Sequence, residues 1–374
     1  MTRARLRVGQ VGLGGLGATH ARNLGGRIPG AELVRVVDLD ADRAAGLDAE
    51  LGVEWATAYE ALLEDPGVEA VVIATPTSLH AEMIERAARA GKHVFTEKPV
   101  ALTRESALSA LAAAREAGIA LQVGFHRRFD PDWREAKRRI DAGELGEPYL
   151  FRSSLRDAAA DADPDFRGGF GTLLMDASIH DFDTARWLVG EVDEVTALGA
   201  SLSSPAYAEA GDMDTAAVLL RFASGALGLV DASRVAGYGF ESSTELVGAK
   251  ATARIGSGRA MHLDWLTPGR ITADHVADYV ERHAEAYQRE LEAFVDRVRR
   301  GRPVEPGGAD GLAALVLSLA AERSVREGRA VRLRRTGAGD DLVYAIEDGF
   351  QPLPPRGAAV SNALVHRLRE DEPA

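Results

Sequence analysis

The chain has 374 residues, 46% of them hydrophobic and 27% charged, which is enough apolar material for two domains with separate cores. Its net charge of −13 argues against nucleic acid and anionic membrane as partners, because phosphate contacts need clustered Lys and Arg. Cysteine is absent, so disulfides, thiolate metal sites and cysteine nucleophiles are excluded.

Residues 5–14 read as a strand, 18–26 as a short helix and 31–40 as a second strand. Helices follow at 41–52 and 57–67, then a continuous apolar strand at 68–76. A helix at 78–91, a strand at 92–99, a helix at 104–118 and a strand at 119–126 complete the first third. Continuous apolar runs between amphipathic helices predict a parallel sheet buried on both faces, the pattern of a doubly wound α/β domain. This domain is expected over residues 1–125. After His126 the pattern changes. Helices are expected at 129–146 and 171–190, with a strand at 148–157 and a loop at 157–169. Six strand-like stretches lie between 192 and 266, and their alternation and short turns favour an antiparallel or mixed sheet. Helices at 277–301 and 310–328 end this second domain, expected over 126–335. Residues 336–374 read as an extension, an arm with Gly-, Pro- and acid-rich pieces.

No segment has the long apolar core of a signal peptide or the roughly 20 apolar residues of a membrane span. A cytoplasmic protein is expected.

Gly12-Leu13-Gly14-Gly15-Leu16-Gly17 fits G-x-G-x-x-G between a strand and a helix. Glycines there permit a tight turn and close approach of backbone to a pyrophosphate at the helix N-terminus. The second strand reaches Asp38, where an acid can bind the ribose hydroxyls of an adenosine. Leu39 and Asp40 follow, with no adjacent Arg to welcome a 2′-phosphate, so NAD is expected rather than NADP. Asp38 could instead cap the next helix.

Strand ends in such a sheet face the ligand crevice. Ala74-Thr75-Pro76 ends one strand and Glu97-Lys98-Pro99 the next, which puts Lys98 at the cofactor edge, aimed by Pro99. A solvent-exposed turn lysine is the plain alternative. Asp176 and His180 stand four apart on the helix expected at 171–190, where one face would carry both and the carboxylate could orient the imidazole. Asp183 adds a third polar group, but one His with two Asp on one helix is a poor match for zinc or iron, and no metal is expected.

The stretches GQVGLGGLGATHARNL, ATPTSLHAEM, VFTEKPVAL, VGFHRRFDP, LGEPYLFR and GTLLMDASIHDFDTARWLVG occur in this order between residues 8 and 190. With ESSTELVGAKATARI and AYQRELEAFVDRVRRG further on, they make the chain resemble the Gfo/Idh/MocA oxidoreductase family, in particular its inositol 2-dehydrogenase-like members. The resemblance implies a Rossmann domain followed by an α+β domain with a large open, mostly antiparallel sheet, often used in oligomer contacts. A homodimer or homotetramer is therefore expected. It implies a polyol or sugar substrate and the family's catalytic positions at Lys98, Asp176 and His180. Cofactor contacts are implied at Gly12, Leu13, Gly14, Leu16, Asp38, Thr75, Pro76, His80, Glu97 and Lys98. Besides Lys98, Asp176 and His180, polyol contacts are implied at Arg127, Asp157, Tyr238 and Tyr287. Leu155, Ala177 and Phe240 depart from the family pattern of histidine, threonine and tyrosine, which sets myo-inositol itself in question.

The expected activity is oxidation of a secondary hydroxyl of a cyclic polyol, with His180 as base, Asp176 orienting it and Lys98 holding the oxygen; Lys98 and His180 could exchange roles. An NAD-dependent glycosidase of the same fold and a non-catalytic NAD-binding regulator are the alternatives.

Overall fold

A computed structural model describes residues 4–158, 170–256, 264–336 and 343–347. The first six strands pair in parallel: β1 (Leu6–Val11), β2 (Ala31–Val37), β3 (Glu54–Ala56), β4 (Ala70–Ile73), β5 (His93–Glu97) and β6 (Leu121–Gly124). Their order is 3-2-1-4-5-6, so the crossovers reverse direction between β1 and β4. That reversal opens a crevice at the carboxyl ends of these two strands. Every residue of β4 is fully buried, as a central strand covered by helices on both faces must be. The helices are α1 (Gly15–Gly26), α2 (Ala41–Leu51), α3 (Glu60–Leu63), α4 (His80–Arg89) and α5 (Arg104–Glu116). The three-residue edge strand β3 carries too little pattern to be seen in the sequence.

The second half follows α6 (Pro131–Asp141) with β7 (Pro148–Ala158), α7 (Leu173–Asp176), α8 (Ile179–Leu188), β8 (Val192–Ala200) and the short α9 (Pro205–Glu209). Then come β9 (Thr215–Phe222), β10 (Leu227–Ala236), β11 (Glu241–Gly248), β12 (Thr252–Ile255) and a separate hairpin of β13 (Asp264–Thr267) and β14 (Arg270–Ala273). The chain ends in α10 (Tyr279–Arg282), α11 (Ala284–Arg299), α12 (Gly308–Glu327), β15 (Val331–Thr336) and β16 (Val343–Ile346). Eight strands form one mixed sheet in the order 12-11-7-10-9-8-15-16, with β7 and β10 parallel and the other neighbours antiparallel. In β9, Ala216, Val218, Leu220 and Phe222 are buried while Ala217, Leu219 and Arg221 are exposed, the alternation of a sheet with one covered face. β15 and β16 were not expected as strands. The residues expected as a free arm include β16, which pairs with β15 at the sheet edge; the rest of the arm lies outside the described residues, as do 159–169 and 257–263.

The late helices return to the first sheet. Leu291, Phe294 and Val295 of α11 join the core that holds Val8, Leu13 and Phe95. Val123 N donates to Pro306 O at 3.0 Å, so the chain entering α12 covers the edge of β6.

The single helix expected at 171–190 is broken. Ser178 N donates to Leu173 O, five residues back, and Asp181 N donates to Ser178 O, three back. A wide turn followed by a tight one separates α7 from α8, so Asp176 and His180 no longer stand on one continuous helix.

Candidate active site

β1 leads into Gly12, whose φ of 88° and position against β4 admit no side chain: a Cβ there would lie 2.4 Å from Ala74 O. Gly17 is equally constrained, since its Cβ would lie 2.3 Å from Gly12 O. Gln10 locks the turn by donating from Nε2 to Gly12 O at 3.1 Å and to Gly17 O at 2.5 Å. A Cβ on Gly14 would meet nothing within 4 Å, because this residue borders open space at the start of α1. Asp38 accepts from Leu13 N at 2.7 Å and from Asp40 N at 2.9 Å. Asp40, not Asp38, caps α2, by accepting from Asp42 N and Arg43 N. The carboxylate of Asp38 therefore stands beside the glycine turn. This cradle of glycines, free helix N-terminus and acid fits the pyrophosphate and ribose of NAD. One expectation is corrected: an arginine is close, for the first turn of α2 brings Arg43 Nη1 to 3.2 Å from Asp38 Oδ1.

A cavity of about 520 Å³ runs from this turn to the second sheet. Gly14, Leu16, Thr75, Glu97, Lys98, Arg127, Asp157, Asp176, His180 and Tyr287 line it. Gly12, Leu13 and Asp38 stand behind the turn, and Pro76 and His80 lie outside the lining. The His80 ring is wedged between Pro99 O at 2.7 Å and Thr75 O at 2.8 Å, so it ties together the loops after β4 and β5. Tyr238 is misplaced by the sequence reading. Its side chain is 53% exposed, its hydroxyl donates to Glu241 Oε2 at 2.8 Å, and it does not reach the cavity.

Lys98 is joined to Pro99 by a cis peptide bond, and its Nζ crosses to α7, donating to Asp176 O at 2.7 Å and Asp176 Oδ1 at 3.0 Å. Arg234 of β10 donates to the other carboxylate oxygen at 3.3 Å. Burial alone would raise the Asp176 carboxyl, but Lys98 and Arg234 outweigh it and hold the group below its usual range. The expected Asp176–His180 pair is therefore corrected: among the described residues no hydrogen bond joins them, and the carboxylate is committed to the two cations. Burial pushes His180 well below its ordinary value, with Lys98 and Arg127 adding to the effect, so the ring is a neutral proton acceptor.

Glu97 Oε1 lies 2.7 Å from His20 Nε2, and its other oxygen accepts from Lys98 N at 3.2 Å. Arg127 borders the cavity. It is buried, and its Nη1 donates to Asp181 Oδ1 at 2.5 Å, which also accepts from Ser153 Oγ. Asp157 is pushed up to about 6 by burial, and the charge of Asp176 adds to this. Burial also lifts the Tyr287 phenol well above its ordinary value, with Glu97 and Glu290 contributing. Asp183 is drawn away from the cavity into pairs with Arg128.

Sequence reasoning missed Arg234, His126 and His283, which also line the cavity. His126 ended an expected strand, so the strand-end argument made for Lys98 applied to it equally. His283 and Arg234 carried no comparable signal. Leu155, Ala177 and Phe240 all line the cavity and are buried, giving one side of it an apolar surface.

Residues 6–125 match a family described as an oxidoreductase family with an NAD-binding Rossmann fold, and residues 137–333 match the C-terminal alpha/beta domain of the same family. The chain is 41% identical over 331 residues to scyllo-inositol 2-dehydrogenase (NAD(+)) of Bacillus subtilis, covering 88% of this chain and 96% of that protein. It is 36% identical to myo-inositol 2-dehydrogenase of Thermotoga maritima, covering 88% and 98%. A crystal structure of scyllo-inositol dehydrogenase from Lactobacillus casei, with bound NAD(H) and scyllo-inositol, superposes with a TM-score of 0.82 at 31% identity, covering 88% of this chain and 99% of that one.

Proposed function

The chain belongs to the Gfo/Idh/MocA oxidoreductase family, and from that premise we propose that it is an NAD-dependent dehydrogenase oxidising a secondary hydroxyl of a cyclitol or sugar. One observation carries this reading: the glycine turn and the Lys98–Asp176 pair border one cavity, with His180 beside them. The turn at Gly12–Gly17, the N-terminus of α1 and Asp38 hold NAD, with Thr75 and Glu97 bordering it from the neighbouring strand ends; bound there, it supplies the hydride acceptor. Asp176 orients the Lys98 ammonium, which donates to the substrate oxygen and stabilises negative charge growing there. His180, neutral and bordering the same space, takes the hydroxyl proton. Asp157 and Tyr287 offer polar contacts to the other hydroxyls. Leu155, Ala177 and Phe240 offer none, and buried hydroxyls need partners. The favoured ring therefore carries fewer hydroxyls than myo-inositol or presents them in another stereochemistry.

The experiment is a panel of cyclitols and sugars with NAD, followed by NADH absorbance, alongside aryl glycosides followed by aglycone release. Turnover of at least one free cyclitol or sugar is expected. Aglycone release without NADH accumulation would move the assignment to a glycosidase, and silence in both assays with NAD still bound would move it to a regulator.

We also take the protein to be a cytoplasmic homodimer or homotetramer. Leu198, Leu219 and Leu227 are exposed on the open face of the eight-stranded sheet, an apolar surface suited to a second copy. No helix among the described residues is long and apolar enough to cross a membrane. A monomer mass by light scattering would count against the assembly.

A further inference from the structure

Behind His180 stand two more imidazoles. The His126 ring centroid lies 4.5 Å from that of His180 and 4.4 Å from that of His283. Tyr287 packs 4.7 Å from His126, and all four side chains are buried. His180 Nδ1 and His283 Nε2 are buried without a hydrogen-bond partner among the described residues. At the far end His283 Nδ1 faces Asp130 Oδ2 at 3.3 Å, and Arg282 Nη1 donates to the same oxygen at 3.1 Å. Arg282 also lies 3.7 Å from the exposed Asp132, so this end approaches the surface.

Charge decides what such a row can do. Lys98 and Arg127 face both His180 and His126, and Arg127 and Arg282 face His283. A proton on His180 therefore sits among cations, with Asp176 already committed to Lys98 and Arg234. Among the described residues, His283 alone of the three rings makes a hydrogen bond to a carboxylate. Burial depresses all three: His126 and His180 fall well below the ordinary value, and His283 to about 4, where Asp130 opposes the burial. The hydroxyl proton must nevertheless leave the cavity before the next turnover.

We propose that His126, His283 and Asp130 form a relay that takes the substrate proton from His180 and carries it to the Asp130 end of the row. The proposal rests on the dehydrogenase reading above. The substrate O–H bond breaks as an N–H bond forms on His180. The other ring nitrogen of His180 releases its proton to His126, and His126 does the same toward His283, which passes the proton on its Nδ1 to the Asp130 carboxylate; Asp130 releases it to water at the Arg282–Asp132 end, and the row returns to its starting state. The electron pair of the broken C–H bond leaves with the hydride and never enters the row. Passage along the row requires the rings to turn so that a nitrogen of each faces the next, over centroid separations of 4.5 and 4.4 Å.

The test uses His283→Phe, which keeps an aromatic ring but carries no proton, and His283→Ala, which opens space for free imidazole. Both should lower kcat about tenfold, below the usual contribution of a direct general base. NAD affinity should stay near wild type in His283→Phe, its solvent deuterium isotope effect should rise, and imidazole should restore kcat in His283→Ala. A further readout needs no turnover: in histidine NMR titrations Asp130→Asn should shift the His283 titration downward. Wild-type kcat and isotope effect in His283→Phe, or a loss of kcat that imidazole does not restore, would overturn the relay. If the wild-type protein oxidises no cyclitol or sugar, the dehydrogenase reading fails by itself, and an unmoved His283 titration in Asp130→Asn sinks the row independently.

Discussion

On the cofactor side of the cavity, Gly12, Gly14 and Asp38 fall between positions 12 and 38, and what they contribute is mostly backbone: a glycine-rich turn, a free helix N-terminus and one acid. On the substrate side, Lys98, Asp176 and Arg234 come from the end of β5, from α7 and from β10, and meet through long-range contacts of the two cations with Asp176. The first side is fixed by local sterics, so its loss should weaken cofactor binding. The second is fixed by charge pairing in a buried site, so its loss should act on the chemical step. The two sides should therefore be separable by mutation.

The strongest attempt to break this separation is Lys98→Ala. If the ammonium donates to the reacting oxygen, it matters most as negative charge develops. kcat should fall by about 100-fold or more, the scale of a lost oxyanion donor, while NAD affinity by titration changes little. Lys98→Arg should not restore activity, because a planar fork cannot replace a compact point charge between Asp176 O and Oδ1. Near-wild-type hydride transfer in stopped flow with Lys98→Ala would reduce this residue to the partner of Asp176.

On the cofactor side the expected effect is smaller. Asp38 disfavours a 2′-phosphate by charge and holds Arg43 in a salt bridge. Wild type should prefer NAD over NADP by about tenfold or more in kcat/KM. Asp38→Ser removes the repulsion and one of the two carboxylates that hold Arg43, leaving Asp40 as the other, so the preference should narrow. An unchanged ratio would mean that discrimination lies elsewhere than at Asp38.

The same contrast explains what could be read from the sequence. The parallel sheet and its glycine turn were legible because they depend on short-range pattern: apolar runs of strand length, and glycines where no Cβ fits. Lys98 was legible as a strand end. The pairing of Asp176 was not, because helical spacing predicts a neighbour at His180, and only the break at Ser178 and the arrival of Arg234 on β10 redirect the carboxylate. Tyr238 shows the opposite error: a position carried over from relatives whose side chain here turns to Glu241. β16 was hidden because pairing at a sheet edge depends on β15 more than on its own four residues.

The smallest effect belongs to Asp157, and it tests whether the substrate side is tuned by charge throughout. Burial pushes this carboxyl up to about 6, with Asp176 adding and Arg234 and Lys98 opposing. Below that pH the group is a neutral acid; above it, a carboxylate that accepts hydrogen bonds from substrate hydroxyls. KM for the polyol should therefore fall as pH rises through about 6, by about fivefold, within the range of one hydrogen bond to a charged group. Stability runs the other way. A carboxyl whose pKa is raised by folding contributes most below its unfolded value near 3.8, and that contribution is lost as pH rises through about 6. Asp157→Asn keeps the shape without the charge. It should hold KM near the acid-side value at every pH and raise Tm slightly above pH 6. Tyr238→Phe, altered outside the cavity, should leave KM within about twofold of wild type, inside the small range of surface changes. A KM step near pH 6 that survives in Asp157→Asn would assign the titration to another group and leave Asp157 a half-buried acid without a part in substrate binding.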